Sequence, residues 1–427
     1  MMDILTAKDT RVSLIEAMLA ENNVVISIRC NYPGVSKANY HTSKVITIIS
    51  NIVSKQLNIY DVKTLTTAEG PIFLAKIHGD GKIIKEKMIK LEDQHPLGRL
   101  VDIDVYFKSI KSLSRKDFTG KLRKCFLCND YAFNCIVNKR HDELSLQAYF
   151  HKQVETFENL PLDIIEYTNQ AMLYELNLYP SFGLVSPYSQ GAHSDMDHFK
   201  FIDSISVLNK YMLQFAYLGY QNESVADLLN EAIAIGKACE EAMFTKTKGV
   251  NTHKGLIFVL GTLVVSVMNT IYHGEAFEVI FANIIKLTKP KLSELDDLNK
   301  NLSNGKKIYL KYKLKGVRQE ASLGFPLIQK ALDIFAINDK KSYVKTLIYL
   351  MSVCNDTTII HRKGLEGLTK VKTTMSKLFK HGYSVDELFR IDKQFVKEGI
   401  SPGGSADLLC GTIFLSLIKN NIFKRRE

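Results

Sequence analysis

Over the first 142 residues the apolar positions switch between two spacings, and beyond them nearly all follow one. A helical rhythm runs through 9–22, where Asp9 reads as the capping residue, and again through 42–57 behind Thr42. Between them 24–30 (VVISIRC) is a β-branched strand signal, and 72–78 (IFLAKIH) reads the same way. Asp80 predicts a cap for a helix over 82–91. After the His95-Pro96 break, 98–107 (GRLVDIDVYF) alternates apolar and acidic positions as a half-buried strand does. From about residue 142 the strand signal almost vanishes. Segments 162–178, 204–218, 224–243, 256–272, 275–288, 325–337, 341–354, 384–397 and 405–419 all carry helical spacing. The pattern predicts an α+β N-terminal domain built on a mixed sheet, followed by an all-α C-terminal domain. A helical stretch ending at Asn159-Leu160-Pro161 marks the join, which divides the chain into 1–155 and 156–427.

At 46% hydrophobic and 24% charged, the 427 residues have a globular composition, which excludes a disordered or collagen-like chain. The net charge of +11 is spread over both halves, a diffuse field that suits phosphorylated small molecules or an acidic protein partner at least as well as nucleic acid. With no Trp and no aromatic-plus-glycine pattern, an RNA-binding module is not expected. The stretch 255–274 carries no formal charge, but Gly261, Thr262, Ser266, Asn269 and His273 interrupt it, so it reads as a buried core helix and no membrane partner is expected. The first residues, with Asp3 and Asp9, do not read as a secretory signal. Together with seven cysteines, an odd number, this points to a reducing, cytoplasmic setting.

Polar clusters punctuate the helical half. The first, 183–204, holds His193, Asp195, Asp197 and His198, with hard oxygen ligands suited to Mg²⁺ carrying a polyphosphate, although on a helix the two aspartates would diverge. Asn251-Thr252-His253-Lys254-Gly255 offers cations and a hydroxyl but lacks the Walker spacing. Lys315–Pro326 (KGVRQEASLGFP) contributes Arg318 and Glu320, and Asn355–Gly364 (NDTTIIHRKG) contributes Asp356 and Arg362. At Ser401–Leu409 (SPGGSADLL), Gly403 and Gly404 before a helix opening at Ser405 form a natural phosphate seat. Each cluster alone also reads as a cap or turn; together they read as parts of one polar pocket.

GAHSDMD, GVNTHKG, the R-x-E-x3-GFP pattern and SPGGSADLL resemble the triphosphoribosyl-dephospho-CoA synthases over roughly 160–425. The resemblance implies that ATP and 3′-dephospho-CoA give 2′-(5″-triphosphoribosyl)-3′-dephospho-CoA and adenine. It implies Asp195 and Asp197 as Mg²⁺–triphosphate ligands, Lys254 and Arg318 as phosphate contacts, and Glu320 and Asp356 as base or second metal ligands. His193, Asn251, Thr252, His253, Arg362, Ser401, Gly403, Gly404 and Ser405 would then hold nucleotide. The Pro-Lys-Pro-Gly run common in this family is absent, since Tyr179–Gly183 reads YPSFG.

In the first half, Asp102 and Asp104 alternate with Ile103, so both carboxylates share one face of a strand. That is the arrangement of metal-dependent nucleotidyl transfer, and also of an ordinary solvated strand face. Cys125, Cys128, Cys135 and His141 have the ligand types of a structural zinc site, and reduced structural thiols are the other reading. Ile28–Lys37 (IRCNYPGVSK), His95–Tyr106 (HPLGRLVDIDVY) and Arg123–His141 resemble holo-citrate lyase synthase, the apo-citrate lyase phosphoribosyl-dephospho-CoA transferase, over roughly 5–150. This resemblance implies transfer of the finished group to a serine of the lyase's acyl carrier (gamma) subunit, with Asp102, Asp104 and Arg99 as metal–phosphate residues and Arg29 and Lys37 as phosphate holders. The fold would be nucleotidyltransferase-like at best, because Gln94-His95 stands where such enzymes carry Gly-Ser. The whole chain is expected to be a bifunctional transferase that builds and attaches the citrate lyase prosthetic group. The alternatives are the same synthase chemistry serving malonate decarboxylase, or a non-catalytic zinc-containing binding protein.

Overall fold

The computed structural model describes residues 4–19, 23–120, 122–289, 304–314 and 316–424; Lys315 and the expected end of the first helix at 20–22 lie outside them. The chain divides into two compact units, one formed mainly by residues 1–160 and the other mainly by 161–427.

The first unit is built on a four-stranded sheet in the order β2-β3-β1-β4, with β1 Val24–Cys30, β2 Ile59–Thr67, β3 Gly70–Ile77 and β4 Val101–Phe107. The α+β class holds, but every described strand pair is antiparallel where a mixed sheet was expected. The reason lies in β2, which sequence periodicity does not reveal. Ile59, Val62 and Leu65 are spaced by three, and a bulge between Ile59 and Asp61 resets the alternation. Once β2 and β3 close as a hairpin, β3 returns antiparallel to β1.

The helix Ile4–Leu19 buries Ala7, Arg11, Ile15 and Met18, a stripe that begins before Asp9; Asp9 therefore lies inside the helix instead of capping it. Its Ile15 and Met18 pack with Val25, Ile72, Leu74 and Tyr106 on one face of the sheet. The helices Tyr40–Gln56 and Gly81–Gln94 also pack on the sheet. Thr42 is the third residue of the first of these and completes a capping box with Asn39, while Asp80 caps the second through the Lys82 and Ile83 amides.

Pro161 does not end a helix. A single helix runs from Glu143 to Leu176, because its buried positions Phe150, Val154, Phe157, Leu160, Ile164, Thr168, Ala171 and Met172 keep their three-and-four spacing through the proline. That continuous apolar stripe outweighs the one backbone hydrogen bond a proline forfeits.

In the second unit the uncharged helix, Lys254–Tyr272, is central. Every residue from Val259 to Ile271 is buried, and helices His198–Gly219, Leu229–Lys246, Val279–Thr288 and Gly403–Ile418 pack around it. By length and composition both Lys254–Tyr272 and Gly403–Phe423 could cross a membrane, yet 83% and 72% of their most apolar stretches are buried inside the unit. Pro326–Ile334, Lys340–Val353, Thr357–His381 and Val385–Glu398 complete the longer helices. Thr357–His381 was hidden by its polar start and by Gly364, which interrupts it with φ of 67°. Leu263 is fully buried in the central helix. Leu263→Ala is therefore expected to cost about 2–5 kcal/mol, read as an earlier unfolding transition in urea.

Candidate active sites

The helical unit encloses a cavity of about 720 Å³ into which the separate polar motifs converge. Of the residues singled out in the sequence, His193, Asn251, Thr252, His253, Lys254, Arg318, Glu320, Asp356, Ser401, Gly403 and Gly404 line it. Asp195, Asp197, His198, Arg362 and Ser405 do not contribute to the lining among the described residues.

Two imidazoles, His253 buried and His193 half-buried, are held neutral there. His253 Nδ1 lies 2.7 Å from Ser204 Oγ, which itself accepts the Thr252 hydroxyl at 2.8 Å. Ser204 must then donate to Nδ1, leaving the ring hydrogen on Nε2. Burial pushes the His253 pKa down to about 3. His193 receives Arg362 at Nδ1 (2.9 Å) and reaches Ser401 Oγ with Nε2 (2.9 Å); burial and then the Arg362 charge lower its pKa to about 4. Arg362 also donates to the Ala192 carbonyl, so it supports the cavity from behind His193.

The carboxylates divide by partner. Asp356 is buried: Oδ1 accepts the Thr358 and Ile359 amides, and Oδ2 accepts the Ser405 amide (2.8 Å) and hydroxyl (3.0 Å). The anion position at Ser405 is thus already filled by a side chain of this protein, and the open glycines beside it are Gly403 and Gly404. Glu320 accepts the Leu327 amide at 3.1 Å and is raised by burial. Asp197 caps His198–Gly219 through the Lys200 amide, whereas Asp195 is exposed, 3.9 Å from His193 Nδ1. The two aspartates lie on irregular backbone just before the helix. Asn251 accepts the Lys254 amide, and Lys254 Nζ pairs with Glu240 at 2.7 Å. Arg318 has no ion-pair partner among the described residues.

Sequence reasoning passed over Glu175 and Asp407, which also line the cavity. Burial raises the Glu175 pKa to about 7; Asp407 is raised well above the ordinary carboxylate range by burial, then by the neighbouring Asp356 and Glu175 charges. A Cβ on Gly255 would fall 2.1 Å from Asp407 Oδ2, so only glycine lets that carboxyl lie against the start of the central helix. Glu175 had a readable signal, an acid on the stripe Ile164, Thr168, Ala171.

The first unit places a second constellation on its sheet. Arg29 stands opposite Asp102 across β1 and β4, and Ser27 opposite Asp104, so all four share a face. Arg29 reaches both carboxylates (3.2 and 3.3 Å) and Glu69 (3.4 Å); Glu69 also accepts two bonds from Arg11. Burial alone would raise Glu69, but the guanidiniums of Arg11 and Arg29, with the charge of Lys37, hold it below its ordinary value. Arg123, unnoticed in the sequence, bridges Glu92 (2.5 Å) and Asp102 (3.2 Å). Arg99 donates to the Lys124 carbonyl and lies over the Phe126 ring. Arg29 Nε is buried without an acceptor among the described residues. This is an arginine-lined acidic face, ready for an anion that would draw the guanidiniums off the aspartates. The ligand atoms of Cys125, Cys128, Cys135 and His141 lie within 4.8 Å of one another.

Residues 1–157 match the family described as apo-citrate lyase phosphoribosyl-dephospho-CoA transferase, and residues 161–425 that described as ATP:dephospho-CoA triphosphoribosyl transferase. The chain belongs to both families, as a fusion of the two. "Protein CitXG" of Leuconostoc mesenteroides subsp. cremoris is 32% identical over 93% of this chain and 92% of the relative. "Protein CitXG" of Haemophilus influenzae is 30% identical, covering 98% and 96%. The 2-(5″-triphosphoribosyl)-3′-dephosphocoenzyme-A synthase of Haemophilus ducreyi is 31% identical over 68% of this chain and 99% of its own length. The fused transferase is thus an assembly enzyme for the citrate lyase prosthetic group, with ATP and dephospho-CoA as substrates.

The neutral histidines set a pH dependence. Their folded pKa values lie below the ordinary 6.5, so the unfolded chain binds their protons first and stability is lost as pH falls from about 6.5 towards 4. The raised acids act in the opposite sense, so the comparison is with a variant. His253→Asn, which keeps an acceptor for Ser204, is expected to lose less unfolding temperature between pH 7 and 4.5 than the unchanged protein in calorimetry.

Proposed function

We propose that the helical unit carries out the first reaction and the sheet unit the second, in a cytoplasmic setting that the seven unpaired cysteines support. In the cavity the 2′-hydroxyl of 3′-dephospho-CoA attacks C1′ of ATP. The C–O bond forms as the C1′–N9 bond breaks, the triphosphate is retained and adenine leaves. Glu175, raised by burial to about 7, accepts the hydroxyl proton, and Asp407, which burial raises well above the ordinary carboxylate range, supplies one to the departing adenine. Arg318, Lys254 and the Gly403–Gly404 amides hold phosphate. Asp195 is the carboxylate of its pair left open to Mg²⁺, since Asp197 Oδ1 is committed to a helix end. The observation that carries this reading is the convergence of five separated motifs on one cavity whose volume suits a bound nucleotide.

On the sheet, a serine hydroxyl of the acyl carrier subunit attacks the phosphate nearest the added ribose, and pyrophosphate leaves. Asp102 and Asp104 are the right donors for Mg²⁺, which when bound would neutralise phosphate charge. Arg29, Arg99, Arg123 and Lys37 orient the phosphates.

Incubation with ATP, Mg²⁺, 3′-dephospho-CoA and apo carrier subunit is expected to release adenine and add phosphoribosyl-dephospho-CoA to the carrier, both read by mass spectrometry. Neither product from folded protein would overturn the reading. Glu175→Gln should lower kcat for adenine release by about 10²–10⁴-fold with little change in KM. Asp102→Asn should stop carrier modification while adenine release continues.

A further inference from the structure

The segment from Arg123 to His141 has almost nothing apolar to hold it. Its one described helix, Ala132–Val137, is six residues long, and within that helix only Cys135 is buried. Leu127, Phe133, Ile136 and Val137 are exposed. A short segment with so little core needs another source of order. The chain nevertheless folds it tightly: the Cys125 amide donates to the Asp130 carbonyl, the Ala132 amide to the Arg123 carbonyl and the Arg140 amide to the Cys135 carbonyl.

Three thiols and one imidazole meet where the segment closes. Cys128 Sγ lies 3.4 Å from Cys135 Sγ and 3.3 Å from His141 Nε2, and all four ligand atoms fall within 4.8 Å of one another. A tetrahedral zinc with its usual bond lengths separates its ligand atoms by about 3.5–3.8 Å, so small shifts would bring these four onto one ion. The Leu127 amide points at Cys125 Sγ (3.5 Å), a donor that favours thiolate. Arg140, next to His141 in the chain, pairs with Asp130 at 2.7 Å, which ties the two ends of the segment together. We propose that Cys125, Cys128, Cys135 and His141 bind one structural zinc ion, which locks the segment carrying Arg123 against the strand carboxylates of the sheet unit. The link is direct: Arg123 pairs with Glu92 and Asp102, and the Lys124 carbonyl accepts from Arg99. With all four protein ligands supplied, the ion has no open position and acts on positioning alone.

The deciding measurement is metal content of the full chain purified without chelator, by plasma mass spectrometry. About one zinc per chain is expected. Exchange for Co²⁺ should give the intense near-ultraviolet thiolate-to-cobalt band and the visible bands of a tetrahedral ion. Cys128→Ser should lose the metal and most carrier modification while adenine release is unchanged; His141→Cys, which keeps four ligands, should retain it. Zinc well below one equivalent, with Cys125, Cys128 and Cys135 all reacting as free thiols or a Cys128–Cys135 disulfide found by mass spectrometry, would overturn the proposal. The carrier assay rests on the transferase reading given above, whereas metal content does not, so the two fail separately.

Discussion

A single buried carboxylate ties together the cavity wall of the helical unit. Asp356 accepts two amides at the start of Thr357–His381 with one oxygen, and an amide and a hydroxyl at the start of Gly403–Ile418 with the other. Two helix N-termini are positive ends that would repel each other if brought together bare. A shared anion removes that repulsion and satisfies orphan donors on both. Its four accepted bonds also explain how the group tolerates burial. Neighbouring Gly403 and Gly404 then present their backbone to the cavity at a fixed angle, and His193, linked to Ser401, is fixed along with them.

The sheet unit applies the same logic to a strand edge. Ile103, on β4, turns its amide and carbonyl away from β1, and Glu92 and the buried Lys85 take them at 2.8 Å each. Burial lowers Lys85 and the nearby acids oppose that, so the lysine is tolerated only because carboxylates surround it. Glu92 in turn anchors Arg123 and Arg115. One side-chain pair thus finishes the strand, fixes the outward pitch of Asp102 and Asp104, and holds the arginine beside them.

What the sequence made readable was local. Asp80 and its helix, the VDIDVYF strand and most of the long helices declare themselves within a dozen residues. Gathering of the polar motifs was legible as a set, since a helical domain rarely repeats such clusters without use. Partners far along the chain were not legible: Arg123 and Glu92 are 31 positions apart, and Ser405 and Asp356 are 49. Nor does composition tell whether an aspartate ahead of a helix will cap it, as Asp197 does, or stay open, as Asp195 does. Asp9 erred the other way, because a good capping residue lost to an apolar stripe that began earlier.

The bulge in β2 has a consequence outside catalysis. A four-stranded open sheet has two rims, and each is a template on which another chain could zip. On the β4 rim the Ile103 groups are stoppered by Glu92 and Lys85; the β2 rim is kinked at Ile59–Asp61 and bristles with Asp61 and Lys63. The sheet is thereby kept from zipping onto another chain, or onto a copy of itself, along either rim.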